Sequence, residues 1–165
     1  MVRAGKLAAV AALVLAGTAA AAPPKAGVLV PNRSLGGISL GMTAAQVRAE
    51  WGSRYGVCRD CAGRTIWYFN RERFKPQGAG VELRGGRVVA VFTLWKPPGW
   101  RTREGLVLGE PEARITETYN VLSRVECGGY SALTMRTPRT VTAFYVDDGR
   151  LWGFGLIRPD ALVCR

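Results

Sequence analysis

The stretch at 143–157, AFYVDDGRLWGFGLI, decides the fold that this sequence predicts. Its two apolar segments flank an Asp-Gly pair, which is typical of the tight turn of a β-hairpin. A matching stretch at 81–94, VELRGGRVVAVFTL, carries a Gly-Gly pair at the same place. In both stretches a Gly-Arg pair stands where the chain leaves the turn. The sequence therefore predicts two related antiparallel hairpins.

Each hairpin is preceded by a short amphipathic segment. Both segments begin with the same four-residue pattern, in which an apolar residue and one residue of any type are followed by Leu-Gly. The segments are ISLGMTAAQVRAEW at 38–51 and LVLGEPEARITETY at 106–119. In the first, Thr43 and Gln46 have the spacing of a capping box, which satisfies free backbone N–H groups at a helix start. One more strand is predicted between helix and hairpin, at 65–69 in the first unit and at 132–136 in the second.

These patterns predict an α+β fold built as a tandem repeat. Each repeat consists of one helix followed by three strands, and the two form a shared antiparallel sheet with the helices on one face. The first repeat is placed at 26–98 and the second at 99–165, because the Lys-Pro-Pro-Gly segment at 96–99 cannot continue a strand pairing.

The N-terminal stretch has the order of charge and hydrophobicity that is typical of a secretory signal. Arg3 and Lys6 precede an apolar run at 7–15, and small residues follow at 17–22. The run is shorter than the roughly 20 residues that a membrane-spanning helix needs. We therefore predict a cleaved signal peptide at 1–21 and a secreted or extracytoplasmic location in a bacterial envelope. No later apolar stretch is long enough to span a membrane.

The chain is strongly basic, with 23 Lys and Arg residues against 12 Asp and Glu residues and a net charge of +11. Loss of Arg3 and Lys6 with the signal peptide lowers that charge by two, to +9. Such a chain is drawn to anionic surfaces, although a genome rich in arginine codons gives the same composition. A basic wall-polymer or polyanion-binding protein is therefore one alternative. Its candidate contacts are Arg71, Arg73, Lys75, Arg101 and Arg103.

Four cysteines in an exported chain predict two disulfides, for which three connectivities are possible. The pairing that we favour is Cys58–Cys61 with Cys127–Cys164. The Cys-x-x-Cys spacing of the first pair also allows a thiol-disulfide oxidoreductase, and all four sulfurs together allow a zinc site. Both are disfavoured, because the first pair precedes a predicted strand rather than a helix and a second Cys-x-x-Cys is missing.

The sequence gives little support for catalysis. It contains no histidine, the usual general base and metal ligand, and its serines lie outside any Gly-x-Ser-x-Gly setting. We therefore predict a non-catalytic protein with no cofactor and no metal, and no residue is assigned a catalytic role.

Aromatic residues are the remaining candidates for function. If helices cover one face of the sheet, its opposite face is open, and exposed Trp, Tyr and Arg residues dominate binding hot spots. On the last strand, Trp152, Phe154 and Leu156 are expected to share one face. We predict recognition of another secreted or envelope macromolecule, a protein or an anionic polymer; the competing interpretation is that most of these rings are core. The predicted binding residues are Trp67, Phe69, Trp95, Trp100 and Arg101.

The tandem helix-then-sheet pattern resembles the small exported fold of the BamE/SmpA lipoproteins and the β-lactamase inhibitory proteins. The resemblance is carried by the helix start at 40–43, LGMT, by Val47 and by the duplicated unit with cysteines in each half. It implies a protein that binds other proteins and performs no chemistry. The chain departs from the lipoproteins because it lacks a cysteine in the cleavage region.

Overall fold

The computed structural model of the chain describes residues 26–165 apart from 60, 62, 71–76 and 121. The predicted signal peptide at 1–21 lies outside the described residues. Among the helices of the described part, none has the length and apolar character needed to cross a membrane.

The described residues form eleven strands and two short helices. In chain order these are β1 (Gly27–Val30), β2 (Ser34–Leu35), α1 (Ala44–Trp51), β3 (Gly56–Cys58), β4 (Thr65–Asn70), β5 (Gly78–Arg84), β6 (Arg87–Leu94), β7 (Trp100–Thr102), α2 (Glu112–Thr118), β8 (Ser123–Glu126), β9 (Ser131–Arg136), β10 (Val141–Asp147) and β11 (Arg150–Ile157).

Two sheets make up the fold. The larger has eight antiparallel strands in the order β3-β4-β5-β6-β11-β10-β9-β8, and the smaller has three in the order β2-β1-β7. β6 and β11 join the two halves of the large sheet through the pairs from Gly155 with Phe92 to Ile157 with Ala90. In the small sheet, β1 runs parallel to β7 and so ties the start of the described chain to its middle.

The α+β prediction of tandem helix-plus-three-strand repeats is wrong, because the protein is mostly β. The two helices have only eight and seven residues. Each half gives four strands to the large sheet instead of three. The additional strands β3 and β8 are short and mostly exposed, so they lack the alternation of apolar and polar residues that identifies a strand in sequence. The capping box at Thr43 and Gln46 is confirmed, since the Thr43 N–H donates to the Gln46 side chain at 2.8 Å.

One face of the large sheet, here called the covered face, is closed by the small sheet and both helices. Trp100 of β7 is buried there with Trp51 of α1, with the ring centroids 6.0 Å apart. Glycine is required beside it, because a Cβ at Gly27 would lie 2.6 Å from the Trp100 ring. The indole N–H of Trp51 donates to the Gly36 carbonyl at 2.7 Å. This face holds the larger of the two hydrophobic clusters.

The opposite face, here called the tail face, is only partly closed, by the C-terminal segment. Phe92, Tyr145 and Trp152 belong to its cluster together with Val163 of that segment. The hydroxyl of Tyr145 donates to the Val163 carbonyl at 2.8 Å, and burial raises the pKa of this tyrosine well above its usual range. The disulfide Cys127–Cys164 fixes the same segment to the loop between β8 and β9.

A β-bulge in β11 decides which face Trp152 occupies. Tyr145 pairs with Gly153 and Val146 pairs with Leu151, so Trp152 is the additional residue. A bulge changes the side to which the following side chains point. Trp152 consequently lies on the tail face, while Phe154 and Leu156 lie on the covered face. The prediction that these three residues share one face is therefore wrong.

Gly153 follows the bulge at a point where two backbones approach closely. A Cβ at this position would lie 2.7 Å from the backbone oxygen of Thr93, which cannot move without shifting β6. We expect Gly153→Ala to lower the free energy of unfolding by about 1–3 kcal/mol, the usual cost of overpacking. Urea unfolding followed by tryptophan fluorescence measures this change.

Gly56→Ala is the matched control, since Gly56 lies in the edge strand β3 and an added Cβ would meet no atom within 4 Å. We expect its effect to stay within about 0.5 kcal/mol, as for most surface substitutions. Equal losses for both variants would contradict the assignment of a close backbone approach at Gly153.

Candidate functional site

A cleft opens on the tail face, beside the loop that follows β6. It has a volume of about 630 Å³, which is within the usual size of ligand sites. We call it the Trp95 cleft. Its walls and floor are formed mainly by Trp95, Lys96, Tyr130, Asp147, Trp152 and Arg165.

The loop at Trp95 and Lys96 has a strained backbone. Their φ angles are 61° and 51°, a left-handed conformation that costs roughly 1–2 kcal/mol for each residue that is not glycine. The Gln77 side-chain amide holds the loop by donating to both carbonyls, at 3.2 Å to Trp95 and 2.9 Å to Lys96. The Lys96 N–H donates to the Trp152 carbonyl at 3.0 Å. Strain of this kind is concentrated at functional sites.

This loop presents the Trp95 indole to solvent against a largely buried partner. Trp95 is 59% exposed, whereas Trp152 is 8% exposed. Their ring centroids lie 5.9 Å apart with the planes tilted by 50°. Tyr130 packs edge-on against Trp152 at 5.1 Å. The three rings therefore form an aromatic surface of which Trp95 is the most exposed part and Tyr130 is half-buried.

Arginine side chains lie beneath the aromatic residues. The Arg165 guanidinium lies 5.2 Å from the centroid of the Phe92 ring and donates from Nη1 to the carboxylate of Glu82. These two side chains are 1% and 2% exposed. The Nη1 of Arg64 lies 3.7 Å from the same carboxylate, at the edge of a smaller adjoining pocket. Among the described residues, Arg64 and Arg165 thus share the carboxylate of Glu82.

Several buried N–H groups at this site have no hydrogen-bond acceptor within the described part of the chain. They are Nε and Nη2 of Arg165, Nη1 of Arg64 and Nε1 of Trp152. A buried donor without an acceptor costs free energy, and native proteins contain few of them. All four groups are buried, so they lie beneath the surface of the cleft and of the adjoining pocket rather than on it.

Both disulfides have the pairing that was favoured from the sequence, Cys58–Cys61 and Cys127–Cys164. The second brings Arg165 to the cleft, where the Tyr130 hydroxyl bonds the backbone N–H and carbonyl of Arg165, each at 2.6 Å. The first lies in the connection from β3 to β4. No helix starts at that pair among the described residues, so the helix N-terminus that activates a redox cysteine is not provided there.

Three of the five predicted binding residues belong to the hydrophobic core. Trp67, Phe69 and Trp100 are buried on the covered face, so they are not available to a partner. The prediction had placed the aromatic side chains of this region on an open face, but β4 directs Trp67 and Phe69 toward α1. There Phe69 packs edge-on against Trp51, and the Arg48 guanidinium lies over the Trp67 ring. Trp95 and Arg101 are exposed, the first at the cleft and the second on β7 of the small sheet.

Two of the five polyanion contacts that were predicted from the sequence lie in the described part of the chain. Arg71, Arg73 and Lys75 lie outside the described residues, while Arg101 and Arg103 are exposed. The sequence reasoning missed the roles of Tyr130 and Arg165. Their closeness to Cys127 and Cys164 was the available signal, because a disulfide between those cysteines brings both side chains to one place.

No family model and no curated protein matches this chain. Its structure is similar to the 1.5 Å crystal structure of an extracellular protein containing an SCP domain from Bacillus anthracis strain Ames. The TM-score is 0.53 at 14% identity, and the match covers 73% of this chain and 44% of that one. This chain thus matches less than half of the other protein, and the likeness concerns the fold alone. The predicted resemblance to the BamE/SmpA lipoproteins and β-lactamase inhibitory proteins is wrong, because the matching fold is mostly β.

The two disulfides close loops of different length, which predicts unequal contributions to stability. Cys127 and Cys164 are 37 residues apart, whereas Cys58 and Cys61 are three apart. In the chain-entropy account we expect the paired change Cys127→Ser and Cys164→Ser to cost about 4 kcal/mol, and the paired change at Cys58 and Cys61 about 1.5 kcal/mol. Urea unfolding of both double variants measures the difference. A larger loss for the short loop would contradict the role given to the C-terminal segment.

Proposed function

We propose that this chain is an exported, non-catalytic binding module that recognises another secreted or envelope macromolecule through the Trp95 cleft. The single observation that carries the proposal is the exposed indole of Trp95 on a backbone with two consecutive left-handed residues. A fold keeps such a loop only where other interactions fix it, and exposed tryptophan is the residue most enriched in binding hot spots.

The exported location is supported by three independent features. The N-terminal sequence has the order of a secretory signal, two disulfides are formed, and the similar structure is described as an extracellular protein. Disulfides persist in oxidising compartments and are rare in the cytosol.

Binding rather than catalysis is supported by the chemistry of the cleft. Trp95, Trp152 and Tyr130 offer aromatic surface, and the Tyr130 hydroxyl is already occupied by the backbone of Arg165. Lys96 and Asp147 are the exposed charged side chains of its rim. This set is suited to stacking and charge recognition rather than to a nucleophile activated by a neighbouring base.

We expect Trp95→Ala to abolish most binding to the native partner, with affinity reduced at least about tenfold, as for a hot-spot tryptophan. The measurement is capture from the native culture medium and envelope fraction, followed by titration of the captured component against the purified variants. Val107→Ala is the control, because Val107 is also an exposed apolar residue, 44% exposed, and forms a bridge to Arg101 of the small sheet. Unchanged affinity of the Trp95 variant would refute the proposal.

A polyanion-binding function is the second candidate, favoured by the net charge of +9 that remains when Arg3 and Lys6 are subtracted from +11, and by the exposed Arg101 and Arg103. Under this function, retention on heparin falls steeply as ionic strength rises and falls further in the Arg101→Gln, Arg103→Gln double variant. Retention that is independent of salt, or unchanged in the double variant, would count against it.

The thiol-disulfide oxidoreductase remains the third possibility, with Cys58 and Cys61 as its residues. Turnover of a test disulfide by the purified protein is the measurement that would support it.

A further inference from the structure

We infer that a second site, separate from the Trp95 cleft, binds a phosphate monoester group. The site is a pocket of about 560 Å³, within the usual size of ligand sites. We call it the Arg33 pocket. It has no lining residue in common with the Trp95 cleft. The inference therefore goes beyond the proposed function and does not depend on it.

Four connections of the chain meet at the Arg33 pocket. They are the turn between β1 and β2, the segment at 39–41 before α1, the turn between β9 and β10, and the segment at 158–160 after β11. Asn32 joins the two turns, because its side-chain carbonyl accepts the hydroxyls of Thr140 at 3.0 Å and Thr142 at 3.1 Å. These bonds connect the small sheet to the large one and hold the pocket in one shape.

The charges that line this pocket do not balance. Asp160 is the one carboxylate among its described lining residues, and Arg158 holds both of the oxygens, with Nε at 2.9 Å and Nη2 at 3.0 Å. Arg84 donates to the same carboxylate at 3.2 Å. Arg33 and Arg139 are exposed, and neither side chain forms an ion pair or a hydrogen bond with another described residue. Two positive charges are therefore left for a ligand.

Asn32 adds an uncharged donor to the two arginines. The Thr142 hydroxyl accepts the Asn32 backbone N–H at 2.8 Å, so its own proton is free for the Asn32 side-chain carbonyl, and this orients the amide. The amide nitrogen is then left without an acceptor in the described part of the chain. It is not one of the buried groups without a partner, so a ligand in the pocket can reach it.

A phosphate monoester matches these groups better than other anions do. Near neutral pH it carries a charge of about −1.5 to −2, which suits two unpaired guanidinium groups, and it has three acceptor oxygens. Guanidinium groups bind phosphate oxygens through paired hydrogen bonds, and the Asn32 amide offers a further donor. A carboxylate has a single charge and two oxygens, so it would leave one arginine without a counter-charge.

The test compares sugars that differ only in their anionic group. Glucose 6-phosphate, glucose 6-sulfate and glucuronate are titrated into the disulfide-bonded protein, and NMR shifts of backbone amides at Asn32, Arg33 and Arg139 report binding. We expect the phosphate to bind at least about tenfold more tightly than glucuronate, since it gains at least one further charge-assisted hydrogen bond.

The pH dependence of binding gives a second readout. The affinity for glucose 6-phosphate should fall as the pH is lowered through about 6, where the phosphate loses its second charge, whereas that for glucose 6-sulfate should stay constant. The chain contains no histidine, so no side chain with an ordinary pKa in this range obscures the effect.

Three variants that each lower the net charge by one locate the site. Arg33→Gln removes an unpaired guanidinium. Asn32→Asp replaces the amide donor by an oxygen and keeps the acceptor for the two threonines, and aspartate tolerates the left-handed backbone there, where φ is 60°. We expect both to weaken glucose 6-phosphate at least about tenfold. Arg54→Gln, at an exposed arginine after α1 and outside the pocket, should change the affinity by less than about twofold.

Several outcomes would overturn the inference. Equal affinities for the phosphate and glucuronate, or tighter binding of the sulfate, would contradict the phosphate assignment. Equal losses in Arg33→Gln and Arg54→Gln would show attraction by overall charge without a site, and so would shifts that avoid the pocket. If Asn32→Asp does not fold, Arg33→Gln still decides, because its side chain is exposed. None of these results bears on the Trp95 cleft, which the capture experiment tests separately.

Discussion

The bulge at Trp152 is the constraint on which the candidate site depends. In a strand without the bulge, regular alternation would place the Trp152 ring on the covered face together with that of Phe154. The bulge instead directs it to the tail face, where it contacts Trp95, Tyr130 and Tyr145. β6 contains a related irregularity, since Glu82 pairs with Ala90 and Leu83 pairs with Val88. Such bulges commonly redirect a side chain next to a functional site.

The second determinant is the C-terminal segment, which forms one side of the cleft and part of its floor. A buried ion pair such as Arg165 with Glu82 gains little stability over apolar residues, because both charges must lose their hydration. The ion pair contributes instead by fixing the position of the Arg165 side chain. The pair, the Cys127–Cys164 disulfide and the two hydrogen bonds to the Tyr130 hydroxyl hold Arg165 in one place. Removing Glu82 would leave a buried arginine without a counter-charge, which is more costly than the absence of both groups.

The sequence predicted local features well and the assembly of the sheets poorly. Hairpin turns and the capping box depend on neighbouring residues, so the Asp-Gly and Gly-Gly pairs and Thr43 were sufficient to identify them. The favoured disulfide pairing is also confirmed, although the sequence left three connectivities open. The parallel pairing of β1 with β7 joins segments about seventy residues apart, and no local pattern encodes it. Because the small sheet was not foreseen, Trp100 was taken as a linker residue rather than as part of β7. Trp67 and Phe69 were assigned to the face opposite the helices, although they lie on the covered face.

Trp95 is the one predicted binding aromatic that is exposed in the structure, and its position in the chain explains why. Its place between β6 and the Pro-Pro segment gave no reason to expect burial, whereas the rings within strands were drawn into the covered face. Several unfavourable features meet at this one residue and its neighbours: two left-handed backbones, an exposed indole and buried N–H donors without acceptors. Conflicts between local preference and fold are expected where a sequence is selected for binding rather than for stability alone. The strain at Trp95 is therefore the feature of the described chain that the proposed binding function would explain.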